Sequence, residues 1–249
     1  MLIEKPTFKA IADHALLVSF SNDFSESVHS LVVALDNSIK SNPPIGLLET
    51  VPAIVNLLIT FDPLITDHII IQKSILDNMK SMKKNKFKGT KRDVHICYEE
   101  TFSKDLETIS KICGLSKDEV INAHLSGSYN VLMYGFSPGY AYLSGVSDKI
   151  NIPRKTSAIR DVDAGSVIIA GSQCLVTTLN MPTGWSIIGR SPTLILRNNI
   201  KKPFLFDVQF ESVLVLTFWI FSMLYFPLQF FFYCFKNNTC SRHTVSSKP

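Results

Sequence analysis

No two cysteines in the 249-residue chain stand in a Cys-x-x-Cys pair. The five present, Cys97, Cys113, Cys174, Cys234 and Cys240, are odd in number and widely spaced. That argues against a disulfide framework and against a structural zinc site, and it fits a reducing, cytoplasmic compartment. No metal-ligand cluster is visible. There is no GxxxxGK[ST] string and no GxGxxG behind a strand, so neither a P-loop nor a dinucleotide fold is indicated. No apolar run follows Met1, and no secretory leader is expected. Charge of either sign is scarce. The 25 basic and 21 acidic side chains leave +4, too little to imply a nucleic-acid partner. Hydrophobic residues reach 46% against 18% charged, which excludes wholesale disorder and provides for a packed core.

The first third alternates between elements. Residues 14–20 read as a strand. Asp23 is a cap for a helix to about Lys40, with Phe24, Val28, Leu31, Val32 and Leu35 at helical spacing. Strands follow near 47–51 and 53–60. Asp62-Pro63 opens a second helix, with Ile65, Ile69, Ile70 and Leu76 inward. A strand at 93–98 completes the order βαββαβ of a ferredoxin-like unit. Residues 80–92 hold seven basic residues and no acid, which reads as a solvated linker or an anion patch.

Two short helices come next. One runs from Ser103 to Cys113 and ends at Gly114. The other is opened by Ser116 and Glu119, spaced as a capping box. From 129 on, strands and glycine turns dominate, which suggests a small barrel or sandwich. Eight of the eleven glycines lie between 127 and 189, where the backbone turns tightly or cradles a ligand. Residues 213–235 carry no charge. They read as a membrane anchor, as a spurious extension, or as a finish to the barrel.

Compact strings stand inside the glycine-rich window: GFSPGYAYL at 135–143, Pro153-Arg154, AGSVIIAGSQ at 164–173 and GWSIIGRSP at 184–192, with His124 upstream. In this order and spacing they resemble the family of the 5-oxoprolinase B-type subunits, which also holds a kinase-inhibitor branch and the first subunit of allophanate hydrolases. The resemblance covers residues 14 to 196. It implies a small α/β domain followed by a cyclophilin-like β-barrel, and with the element reading the expectation is an α+β chain: a ferredoxin-like α/β domain (1–92), the barrel domain (93–206) and, beyond the resemblance, an aberrant apolar tail (207–249). It also implies a second carboxyltransferase-like subunit as partner, and ATP for opening 5-oxoproline to glutamate. The departures are Ala158 and Ile159 where a second Pro-Arg is usual, Thr183 for a glycine, and Leu175 and Thr177 after Gln173. The family's closing strand has no match, which would leave a barrel edge unpaired.

The expected site follows from side-chain chemistry and from this resemblance. His124 is either a proton carrier near neutral pH or a helix-end structural residue. Arg154 and Arg190 grip a carboxylate or phosphate, or form structural ion pairs. Trp185 walls a pocket or fills core, and Gln173 is suited to an amide or carboxylate. Gly135, Pro138, Gly139, Gly165 and Gly171 supply turns close to the site. The reading is a subunit of an ATP-dependent amide hydrolase, with a non-catalytic protein-binding module as the alternative. Membrane contact is expected only through residues 213–235.

Overall fold

The computed structural model describes residues 6–82, 91–206 and 213–218. They form two compact units, one before and one after the basic stretch. Residues 83–90 of that stretch lie outside the described residues.

The first unit runs β1 (Thr7–Ala12), β2 (Ala15–Ser19), α1 (Glu26–Ser41), β3 (Leu47–Pro52), β4 (Asn56–Phe61) and α2 (His68–Ser81). Its antiparallel sheet has the order β1-β2-β4-β3. Period-two alternation turns Leu16 and Val18, and Leu57, Ile59 and Phe61, onto one face. There they meet Val32, Leu35 and Ile39 of α1 and Ile71 and Ile75 of α2. Ser25 caps α1 by accepting from the Val28 amide (3.2 Å), in place of the expected Asp23.

Two expectations are corrected here. The strand near 93–98 belongs to the other unit's sheet, so the βαββαβ order of a ferredoxin-like domain is not formed. Helix α2 begins five residues later than Asp62-Pro63. Asp62 instead closes a turn, accepting from Leu64, Ile65 and Thr66, and Asp67 is the cap. That shift rotates the helix. Ile71 and Ile75 are buried, while Ile65, Ile69, Ile70 and Leu76, expected inward, face water.

The second unit runs β5 (Arg92–Ile96), α3 (Leu106–Cys113), α4 (Lys117–Leu125), β6 (Tyr129–Tyr134), β7 (Ala141–Ser144), β8 (Ile159–Val162), β9 (Ser166–Ala170), β10 (Gln173–Val176), β11 (Met181–Thr183), β12 (Ser186–Arg190) and β13 (Val213–Phe218). Gly114, at φ 65°, ends α3, and Ser116 with Glu119 forms the capping box of α4. Seven strands make one sheet, β12-β9-β10-β7-β6-β13-β5. Its two edges meet: Cys97 and Arg190 exchange backbone hydrogen bonds of 2.7 and 2.9 Å. β9 is buried along its whole length because both faces are covered. Val167 and Ile169 join Leu106, Ile109 and Val120 of the helices, and Ile168 and Ala170 join Tyr140, Val162 and Trp185.

β13 overturns the expected gap in the barrel. It lies between β5, to which it is parallel, and β6, to which it is antiparallel. The first six residues of the expected anchor are therefore a strand of the sheet, and residues 219–235 lie outside the described residues. No helix among the described residues is long and apolar enough to cross a membrane.

Candidate functional site

The sequence-predicted residues do not converge on one point. The structure distributes them over five places in the second unit.

His124 occupies the last turn of α4 and is fully buried. Its Nδ1 lies 2.7 Å from the Tyr98 hydroxyl, and its Nε2 lies 3.5 Å from Cys174 Sγ. Either tautomer is served. With Nε2 protonated, Tyr98 donates to Nδ1 and the ring donates to sulfur; with Nδ1 protonated, both bonds reverse. The Tyr129 hydroxyl donates to the His124 carbonyl (2.8 Å). Burial lowers the imidazole pKa to about 3 and pushes the Cys174 thiol and the Tyr98 and Tyr129 hydroxyls well up, so the whole cluster is neutral. A proton carrier needs access to substrate and a pKa near ambient pH. His124 has neither, and the surroundings favour the structural alternative.

Gly165 and Arg190 meet at a cleft of about 190 Å³ at the β9 and β12 ends of the sheet, with Thr177, Thr178 and Thr193. Its polar groups are engaged with one another. Arg190 donates to Asp163 Oδ2 (3.1 Å) and to the Ala164 carbonyl (3.3 Å), and its guanidinium lies 5.8 Å from the Phe102 ring centre. Thr177 donates to the Asp163 carbonyl and accepts from the Ser166 amide. Arg190 thus has an ion-pair partner in Asp163. Gly165, at φ 84°, donates to the Thr177 carbonyl and accepts from the Ser191 amide, both at 2.7 Å. A Cβ there would stand 2.7 Å from the Ser191 carbonyl oxygen. Gly165→Ala is expected to cost about 2 kcal/mol, read as a lowered melting temperature. An unchanged melt would mean that this corner yields freely.

Gly135, Pro138 and Gly139 form the turn between β6 and β7. The Pro138 carbonyl accepts from Thr178 Oγ1 (2.8 Å), and Gly139 takes φ 75°. Gly171 and Gln173 lie at the β9–β10 hairpin, the other end of those strands from Gly165, roughly 15 Å away at 3.3 Å per residue. No nearby group recruits them to the cleft.

The fifth place joins Arg154 to aromatic rings. Phe136, Tyr140, Tyr142 and Trp185 form a row with centroid separations of 5.5, 6.4 and 5.9 Å. Trp185 is buried and is core beneath Tyr142 rather than a pocket wall. Arg154 lies at that end of the row, its guanidinium 3.8 Å from where a Gly184 Cβ would be. Its neighbour fixes the backbone there. The Lys155 amide donates to the Gly184 carbonyl (2.8 Å), and Lys155 Nζ pairs with Asp105 (2.6 Å). Asp105 in turn accepts from the Ile187 amide (2.7 Å). Arg154 is exposed and has no carboxylate within 4 Å among the described residues. Burial lifts the Tyr142 pKa, and the Arg154 charge works against that rise. An uncommitted guanidinium beside a partly buried phenol suits a carboxylate next to a flat ring. Tyr140 and Tyr142 were missed in the sequence, although their i, i+2 spacing already put them on one face of a strand.

Comparison with known proteins agrees with this architecture. The family described as carboxyltransferase domain, subdomain C and D, matches residues 6–206. A relative from Bacillus subtilis (strain 168), named as the B-type subunit of 5-oxoprolinase, is 32% identical over 213 residues, 78% of this chain and 85% of the relative. A protein of the same name from Haemophilus influenzae is 27% identical over 142 residues, 55% of this chain and 67% of the relative. Among solved structures, TTHA0988 superposes with a TM-score of 0.73 at 24% identity, over 84% of this chain and 40% of that one. The Kluyveromyces lactis urea amidolyase gives 0.71 at 15% identity, over 88% of this chain and 15% of that one. At these identities the two structures speak to the fold alone. This chain spans less than half of either.

Proposed function

The chain belongs to the carboxyltransferase-domain (subdomains C and D) family that includes the B-type subunits of 5-oxoprolinase, and from that premise we propose that it is one subunit of an ATP-dependent enzyme opening 5-oxoproline to glutamate. The observation that carries the reading is the 32% identity over 78% of the chain to a protein of that name. We take the closed seven-stranded sheet as the family's cyclophilin-like barrel, and the compartment as cytoplasmic, in keeping with the free thiols of Cys97, Cys113 and Cys174.

5-Oxoproline presents a carboxylate on a five-membered lactam. Arg154 would hold the carboxylate with two parallel N–H donors, Tyr142 would donate from its hydroxyl, and the lactam ring would lie along the phenol face. ATP supplies phosphoryl activation of the amide oxygen when the assembly binds it. The residues of this chain do not fit that nucleotide. The sequence has no P-loop string, and Gly114, the one left-handed glycine that leads into an α-helix among the described residues, meets an α4 N-terminus already filled by the Ser116–Glu119 capping box. We therefore assign ATP to the second, carboxyltransferase-like subunit and derive no phosphoryl step here.

In the reconstituted complex, Arg154→Ala is expected to raise KM for 5-oxoproline about 10- to 100-fold with a smaller change in kcat. Arg154→Lys should recover only part of the loss. An unchanged KM would remove Arg154 from substrate recognition. A second reading, a protein-binding module, draws on Phe136. That ring is 76% exposed, yet its backbone is held at φ 69°, a conformation that a non-glycine residue adopts at a cost.

A further inference from the structure

The first unit carries an apolar surface that its own fold leaves unused. Ile45 and Leu48 flank the start of β3, and Leu64, Ile65 and Ile69 surround the approach to α2; Leu64 is 94% exposed and Ile69 78%. The two stretches are adjacent. The Asp62 amide donates to the Gly46 carbonyl (2.8 Å), and a Cβ on Gly46 would lie 2.7 Å from Thr66 and 3.3 Å from Ile65. Five large aliphatic side chains exposed on two adjoining stretches exceed the scattered apolar exposure of an ordinary surface and mark an interaction site.

Three observations restrict the occupant. Strand pairing on the β3 edge is blocked by the register shift at Leu48, the charge of Glu49 and Pro52, so an occupant meets side chains rather than backbone. The rim is acidic. Glu49, Asp62 and Asp67 border the patch, and His68 Nε2, 2.9 Å from the Ala12 carbonyl, ties the start of α2 to the turn that carries Asp13. The nearest lysine on α2, Lys73, stands a turn further along. Residues 6–82 hold eight carboxylates against four lysines. A second copy laid face to face would oppose carboxylate to carboxylate, which disfavours self-association.

We propose that this patch docks a partner protein whose surface is apolar at its centre and bears lysine or arginine at its edge, namely the second subunit of the assembly. The inference rests on the subunit reading above and adds where that subunit sits.

The test is calorimetric titration of the full chain with the second subunit. Leu64→Ser combined with Ile69→Gln should raise Kd at least about 10-fold, with an unchanged melt because both side chains are exposed. Glu49→Lys should raise Kd and flatten its salt dependence. Arg154→Ala should leave Kd unaltered. If the wild-type chain binds and the double variant binds equally well, the surface is wrong and the subunit reading stands. If the wild-type chain does not bind at all, the subunit reading falls and takes this inference with it. A dimer of the chain alone that the double variant dissolves would make a second copy the occupant and overturn the proposal.

Discussion

His124→Ala should destabilise the second unit by about 3–5 kcal/mol, a deep-core loss rather than a surface one. The substitution removes a fully buried ring, opens a void among Tyr98, Tyr129 and Cys174, and takes away the partner 2.7 Å from the Tyr98 hydroxyl. The bond from Tyr129 to the residue 124 carbonyl survives, since it uses backbone. The same geometry sets a pH dependence. The unfolded imidazole titrates near 6.5 and the native one at about 3, so between those values the unfolded chain binds the extra proton. Stability from this group is complete above about pH 6.5 and falls by roughly 1.4 kcal/mol per pH unit on the way down to about pH 3. A His124→Gln variant cannot take up that proton. Its denaturation midpoint, lower at neutral pH, should decline less steeply on acidification. Equal slopes for the two proteins would mean that the native imidazole titrates normally and is reached by water.

A chain ended at Phe206 should lose the cooperative melt of the second unit altogether. Removal of β13 takes a strand from the interior of the sheet, not from its rim. Its register pairs five residues with β5, from Leu214 opposite Arg92 to Phe218 opposite Ile96, and two with β6. Each ladder bond is worth about 1 kcal/mol net, and the amides left facing a gap cost more. Among the described strand pairings, only the Cys97–Arg190 bridge would still hold β5 to the sheet. Near-ultraviolet circular dichroism with temperature separates the outcomes. A truncated chain that melts within about 2 °C of the full one would show that β13 adds nothing to the fold.

Local rules were legible where one signal acted alone. The Ser116–Glu119 box, Gly114 after α3, and the bounds of β6 and β9 could be read directly, because caps and alternation are properties of neighbouring residues. Helix α2 failed because the consecutive isoleucines Ile69, Ile70 and Ile71, with Ile75 and Leu76 beyond, satisfy more than one helical phase. Only the start of the helix selects among them, and Asp62 and Asp67 both resemble caps. β13 failed for a different reason. Its uncharged string continues into residues 219–235, and composition cannot mark where a strand would stop. At the candidate site, residue type was informative and grouping was not. The two arginines look alike in sequence, yet Asp163 engages one and no carboxylate among the described residues reaches the other.

The parallel pairing of β5 with β13 sets a timetable. β5 is the first strand of its unit, and its partner emerges about 120 residues later. On the ribosome the first unit can finish folding while Arg92–Ile96 still waits with one edge open. The second unit then completes in a late, slow step, because the loop entropy is lost before the pairing returns anything. Until that step, the β5 and β6 edges are the surfaces that a chaperone, or a neighbouring nascent chain, will find.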